Sequence, residues 1–342
     1  MKQTLIALAA LAAVGAASAQ STVTIKGLVG AAYQSVDSNG INLTDPSFAS
    51  GKARAYRGFA LTDATLNFGV VEDLGGGLKA EASLKLDSVG SSSTANYAQP
   101  LQRRDTSIGL SSSMGTLSFQ STRTGRMLAR GMVAPANLAN TIYDNSGIIA
   151  RFSADVVQYA TPSISGFTGF AQWVEPAVSN TSFLVLPTSM DGYATPVVAA
   201  SSVGFIYVNG PLEGGMAYKA NRGLYTNSIR TKSLEGFLTY DLGSAKLGFG
   251  YDSAVAGTIA ANTVADSSAY SLGVAAPLGA VVLGANWAKR DVNTVSELVV
   301  KYDLSKRTNF NASLGKHSAD ADPTGVSGID GRQYRLGVNH AF

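Results

Sequence analysis

The sequence predicts an all-β protein, a transmembrane antiparallel β-barrel of sixteen strands with short turns at one rim and longer loops at the other. Three observations carry that expectation. Charged residues make up only 14% of the 342-residue chain, against about 25% in ordinary soluble domains. Apolar and polar residues alternate with period two through most of its length, broken by glycine, proline, asparagine and aspartate, which is the pattern of half-buried strands. The connections between these stretches alternate in length, as they do when all short turns share one rim.

The chain begins with a short basic region, Met1-Lys2, then an apolar run from Leu5 to Ala17 and the small residues Ala17-Ser18-Ala19 before Gln20. That layout is a cleavable secretory signal peptide, so residues 1–19 read as a leader and 20–342 as the barrel. The apolar run is shorter than the roughly 17 to 25 residues of a spanning helix, and no later stretch is both long and free of charge or turn residues.

In the first predicted strand Val23, Ile25, Gly27, Val29, Ala31 and Tyr33 share one face, and Thr24, Lys26, Leu28, Gly30, Ala32 and Gln34 the other. The cleanest alternation sets Leu78, Ala80, Ala82, Leu84 and Leu86 against Lys79, Glu81, Ser83, Lys85 and Asp87. Short turns are expected near Glu72–Gly77, Ser112–Gly115, Thr161–Gly166, Asn209–Gly214, Asp241–Ala245, Ala276–Gly279 and Asp303–Arg307. Longer connections are expected at Ser38–Leu61, Val89–Gln102, Thr124–Ala150, Pro176–Ala200, Asn221–Ser228, Ala254–Ser267, Asp291–Thr294 and Ala319–Gly331. Sixteen strands then share the chain after the leader at about 20 residues each with their connections, which suits membrane strands of about 9 to 11 residues. Tyr159, Tyr240 and Tyr302 each close a strand before a short turn, and Phe342 ends the chain at the same level, as in an interfacial aromatic girdle. Two stretches resist the pattern. Phe152–Tyr159 alternates poorly around Asp155, and Thr62–Val71, with Asp63 near its start, leaves the register open.

A sheet with an apolar outside must hide its edges, and in lipid only closure does so. The polar face then turns inward, which assigns Lys26, Lys79, Glu81 and Lys85 to the pore lining. Side chains cannot fill a sixteen-stranded barrel, so an aqueous channel is expected.

Several segments together resemble the trimeric general porins of Gram-negative outer membranes, in particular the beta-proteobacterial, anion-selective type. They are Val23-Thr24-Ile25-Lys26-Gly27, the turn Glu72-Asp73-Leu74-Gly75-Gly76-Gly77-Leu78-Lys79-Ala80, Arg103-Arg104 at the start of the fourth strand, Tyr159-Ala160-Thr161-Pro162 with Ser165-Gly166-Phe167, Tyr302-Asp303-Leu304-Ser305-Lys306-Arg307-Thr308, and Gly337-Val338-Asn339-His340-Ala341-Phe342. The resemblance implies a homotrimer in the outer membrane, in contact with its lipid and lipopolysaccharide. It also implies a second long loop, Val89–Gln102, that latches onto a neighbouring subunit, and a third long loop folded into the pore. Phe342 would be the signal read by the barrel-assembly machinery.

Charge around that third loop is one-sided. Between Leu101 and Arg151 stand Arg103, Arg104, Arg123, Arg126, Arg130 and Arg151 against Asp105 and Asp144. Arginine keeps its charge at any relevant pH, so a narrow aperture lined by it attracts inorganic and small organic anions. The position where the family places an inward arginine on the second strand falls near Thr65, with Arg54 and Arg57 upstream as substitutes or as charges facing external solvent. The loop Gly125–Gly147 is short of acidic residues, which favours a uniformly positive constriction.

Other chemistries lack their residues. The chain has no cysteine, and its two histidines, His317 and His340, accompany neither a Gly-x-Ser-x-Gly elbow nor a His-Glu-x-x-His pair, so no enzyme is expected. Asp320, Asp322 and Asp330 depart from the calcium-loop order at Thr324, Gly75-Gly76-Gly77 is a hairpin turn and not a phosphate cradle, and no cofactor is implied. A net charge of +3 does not suit a nucleic-acid binder. Two other functions use the same barrel: a substrate-specific channel, and an adhesin or receptor anchored by it.

Overall fold

The computed structural model describes residues 21–38, 54–87, 102–123, 126–135, 153–174, 198–223, 230–253, 255–258, 263–266, 268–290, 293–319 and 329–342. Its barrel strands are β1 (Thr22–Ser38), β2 (Arg54–Gly75), β3 (Leu78–Asp87), β4 (Gln102–Ser112), β5 (Gly115–Arg123), β6 (Ser153–Ala160), β7 (Phe167–Val174), β8 (Val198–Asn209), β9 (Leu212–Gly223), β10 (Arg230–Asp241) and β11 (Lys246–Asp252). After a separate hairpin of β12 (Val255–Thr258) and β13 (Thr263–Asp266) come β14 (Ala269–Leu278), β15 (Val281–Arg290), β16 (Asn293–Asp303), β17 (Thr308–Ala319) and β18 (Ile329–Ala341). Each barrel strand pairs antiparallel with its neighbours, and β1 pairs with β18, so sixteen strands close. The predicted architecture is the observed one, with all seven short turns in place.

The alternation sorts side chains as expected. On β1, Val23, Ile25, Val29 and Tyr33 are exposed on the outside, while Ala32 is buried inside. Most large exposed side chains are apolar, which in water would be untenable and in lipid is the favoured arrangement. Tyr159, Tyr240 and Tyr302 lie on the outward face beside the short turns, and Phe342 ends the chain there with its ring exposed. The first short turn needs glycine: Gly75, Gly76 and Gly77 all have positive φ, and the Gly75 N–H donates to Asp73 Oδ1 at 2.9 Å.

Three details differ from the sequence reading. β2 starts at Arg54, so residues 54–61, expected in a loop, are strand paired with the outer half of β1. The register of β2 shifts at Thr62, since Gly30 pairs with Asp63 and Ala31 with Leu61, and this bulge is why alternation failed there. In β6, Val156 is buried inside whereas Asp155 is exposed on the outward row with Val157 and Tyr159, opposite Ser121.

Candidate pore constriction

After β5 the chain forms a short helix, α1 (Arg126–Arg130), and continues to Pro135 against the inner wall. Leu128 packs among Ala269, Ala288 and Val295, inward-facing residues of β14, β15 and β16. The Ser271 hydroxyl donates to the Leu128 carbonyl at 2.7 Å, and the Ala134 N–H donates to Asn286 Oδ1 at 3.1 Å. Asn286 in turn donates from Nδ2 to Glu297 at 3.3 Å. The wall admits this segment because it carries glycine there: a Cβ at Gly248 would strike Gly131, and one at Gly273 the backbone of Val133. A second contact joins Met127 to Phe237 and Ala217, with Phe170 and Ile206 alongside.

Arg130 ends α1 and leaves that seat. Its Nη2 lies 3.0 Å from Glu213 Oε1 on β9, and its guanidinium stands 4.6 Å from the centroid of Phe237. The side chain keeps 45% of its surface exposed, so the charge is held in position and still faces water. The wall beneath is internally compensated: Lys219 Nζ meets Glu235 at 2.7 Å, and the buried Arg290 meets the buried Asp252 at 2.6 Å.

Half the circumference away, β1 to β4 carry a different row. Lys26 pairs with Asn67, Asn67 with Lys85 and Lys85 with Arg104, on the face that points inward, so the row has three cations and no carboxylate. Lys79 and Glu81 lie on the same inner face nearer the short turn, where the Ser111 hydroxyl donates to Glu81 at 2.6 Å. Thr65 is also on this face, opposite Leu28.

The remaining predicted arginines divide. Arg103 pairs with Leu86 and Arg123 follows Leu117 and Phe119 by even steps, so both occupy outward rows of β4 and β5. Arg57 pairs with Ser35 on the outward row of Tyr33 and Phe59, the row that goes with the second of its two readings, a charge facing external solvent. Arg54 pairs with Ser38 on the inward row. Arg126 is placed in α1 by its backbone, and Asp144, Arg151 and the latch loop before Gln102 lie outside the described residues. Sequence reasoning missed Glu213, Lys219, Phe237 and Asn286. Each had the inward parity of its strand, but nothing local marked which wall the loop would meet.

The model for Gram-negative porins matches residues 6–322 of the chain. The protein belongs to the Gram-negative porin family. A curated relative, outer membrane porin protein 32 of Delftia acidovorans, is 30% identical over 298 residues, which are 85% of this porin and 72% of the relative. Among solved structures, an anion-selective porin from Comamonas acidovorans superposes with a TM-score of 0.65 at 18% identity, covering 94% of this porin and all of that chain. The outer membrane channel DcaP of Acinetobacter baumannii gives 0.69 at 12% identity, covering 94% and 97%. This porin is thus an outer-membrane β-barrel channel, and family and fold point to transport and not to an enzyme.

Proposed function

We propose that this porin is a general diffusion channel preferring anions, with residues 1–19 removed on export and the barrel assembled as a homotrimer. The observation that carries the preference is Arg130, set half-exposed on the inward segment against the wall opposite the strands that bear the row of Lys26, Lys85 and Arg104. Anions passing this segment meet the water-exposed Arg130 on one wall and the cationic row on the other, while Glu213, Glu235 and Asp252 of the loop-bearing wall each contact a cation and Glu297 accepts from Asn286. Arg126 and Arg54 belong to the same lining in this reading, and Arg57, Arg103 and Arg123 do not. The likeness to an anion-selective porin supports it. Phe342 serves as the terminal mark for the assembly machinery, consistent with its exposed ring and its two backbone hydrogen bonds to Gly27 at 3.0 Å.

The deciding measurement is the reversal potential of the refolded protein in a planar bilayer under a tenfold potassium chloride gradient. A stepwise conductance with an anion-selective potential is expected. Cation selectivity would remove the proposed lining, and insertion without conductance would favour an anchor. Mobility on a gel before and after boiling tests the trimer, which should run high only unboiled.

A further inference from the structure

The outside of the barrel carries a feature that conduction does not use. A groove of 1020 Å³ crosses the outward face from β10 to β18, walled almost entirely by apolar atoms. Two adjacent register rows form it. The upper row runs from Leu238 through Phe249 and Leu272 to Trp287, then Ser296, and ends at Lys316 and Arg332. The lower row runs from Tyr240 to Tyr334 by way of Ala285 and Leu298. The small side chains Ser296 and Ala285, side by side in the middle, sink its floor.

The groove is directional. Leu238 lies near the short-turn end of β10, whereas Lys316 and Arg332 lie near the long-loop ends of β17 and β18. Six strand-to-strand steps at about 4.8 Å give it a length of about 29 Å. It therefore slopes through the apolar band from the inner rim to the external one. Lys316 and Arg332 are exposed register partners, and among the described residues neither forms an ion pair. Lys289, exposed and outward near the same end of β15, adds a third cation, while Asp37 stands opposite Arg332 on β1.

A cation pair on a lipid-facing surface suits a bound anion, because an ammonium and a guanidinium at the membrane interface gain from phosphate what they lose in hydration. We propose that this groove holds a phosphorylated, acylated lipid of the external leaflet, its phosphate between Lys316 and Arg332 and an acyl chain along the path past Trp287. The charge fixes which lipid is retained, and the small residues fix where the chain lies.

Trp173 and Trp287 are the two tryptophans, so Trp173→Phe leaves Trp287 as the sole reporter in the groove. That variant is reconstituted into vesicles containing increasing fractions of phosphatidic acid or phosphatidylcholine, each brominated on its acyl chains. Quenching of Trp287 should reach half-maximum at a several-fold lower fraction of phosphatidic acid. Adding Lys316→Gln and Arg332→Gln should abolish that difference while leaving phosphatidylcholine quenching and channel conductance unchanged. Equal quenching by both lipids in the Trp173→Phe protein would reduce the groove to ordinary lipid contact and overturn the proposal. Absence of quenching by either would mean that another copy of the chain covers it. Loss of the phosphatidic acid preference on adding millimolar inorganic phosphate would make the cations a free-anion site and remove the acyl chain from the account.

Discussion

Arg130 is the residue at which chemistry and position meet, because Glu213 and Phe237 hold a guanidinium that water still reaches. An anion passing about 8 Å away, at an effective dielectric near 40, gains about 1 kcal/mol, or roughly a fivefold bias in permeability. Arg130→Ser should therefore lower anion permeability by about that factor and raise cation permeability by a similar one, read as a shift of the reversal potential toward zero. An unchanged potential would place Arg130 outside the ion path. Arg290 behaves differently, since it is buried against Asp252. Arg290→Met alone should destabilise the barrel by about 3 to 5 kcal/mol, and combining it with Asp252→Leu should recover most of that loss. Urea titration of the refolded variants separates the two outcomes. Both arginines are plain in the sequence, yet their roles were not, because a strand's parity gives the side of the sheet and not the partner across it.

At the scale of elements, the inward segment is held by a few side chains and by what the wall lacks. Gly248→Val would place two methyl groups against Gly131 and Val133, and overpacking of this kind costs about 1 to 3 kcal/mol. The segment should shift toward the lumen or detach, so single-channel conductance should change in size and become noisier. A quiet, wild-type step would show that the seat tolerates the displacement. Asn286→Leu removes the acceptor for the Ala134 N–H and the donor to Glu297, and should produce the same noise without added bulk. The strands themselves were legible in the sequence because alternation is local. Thr62 and Asp155 show where that fails: one extra residue in β2 shifts its register, which is why the sequence left the faces open there, and β6 sets a carboxylate on the outward row. The start of β2 at Arg54 was hidden for a related reason, since polar residues that extend a strand beyond the membrane read as loop.

For the whole molecule, the apolar exterior sets where substitutions are tolerated. Leu298 lies midway along β16 with its side chain exposed outward, so Leu298→Arg should cost about 2 to 4 kcal/mol in lipid. The same change at Tyr302, beside a short turn, should cost about 0 to 1 kcal/mol. Folding titrations in vesicles would compare them, and equal costs would mean that the two positions do not differ in depth. The number of strands and the layout of turns and loops were readable because they follow from period and spacing. The placement of Arg130 and the Lys26–Asn67–Lys85–Arg104 row on opposite parts of the barrel was not, because it depends on strands separated by half its circumference.

The pairing of β1 with β18 also imposes an order in time. Neighbouring strands elsewhere find each other across short stretches of chain, but Gln333 donates to Gln34 across 299 residues, at 3.3 Å. That closure spans about four doublings of loop length beyond a hairpin, an entropic cost of only roughly 2.4 kcal/mol. What delays it is order along the chain: β18 follows the other fifteen barrel strands in sequence, so the clasp forms only once all of them are present. A chain stopped before Ile329 would own fifteen strands and two open edges, free to pair with those of any other unfinished copy. Closure of the barrel and protection from its siblings are therefore a single event, and a chain cut before Ile329 should collect as protease-sensitive aggregate and not as a smaller pore.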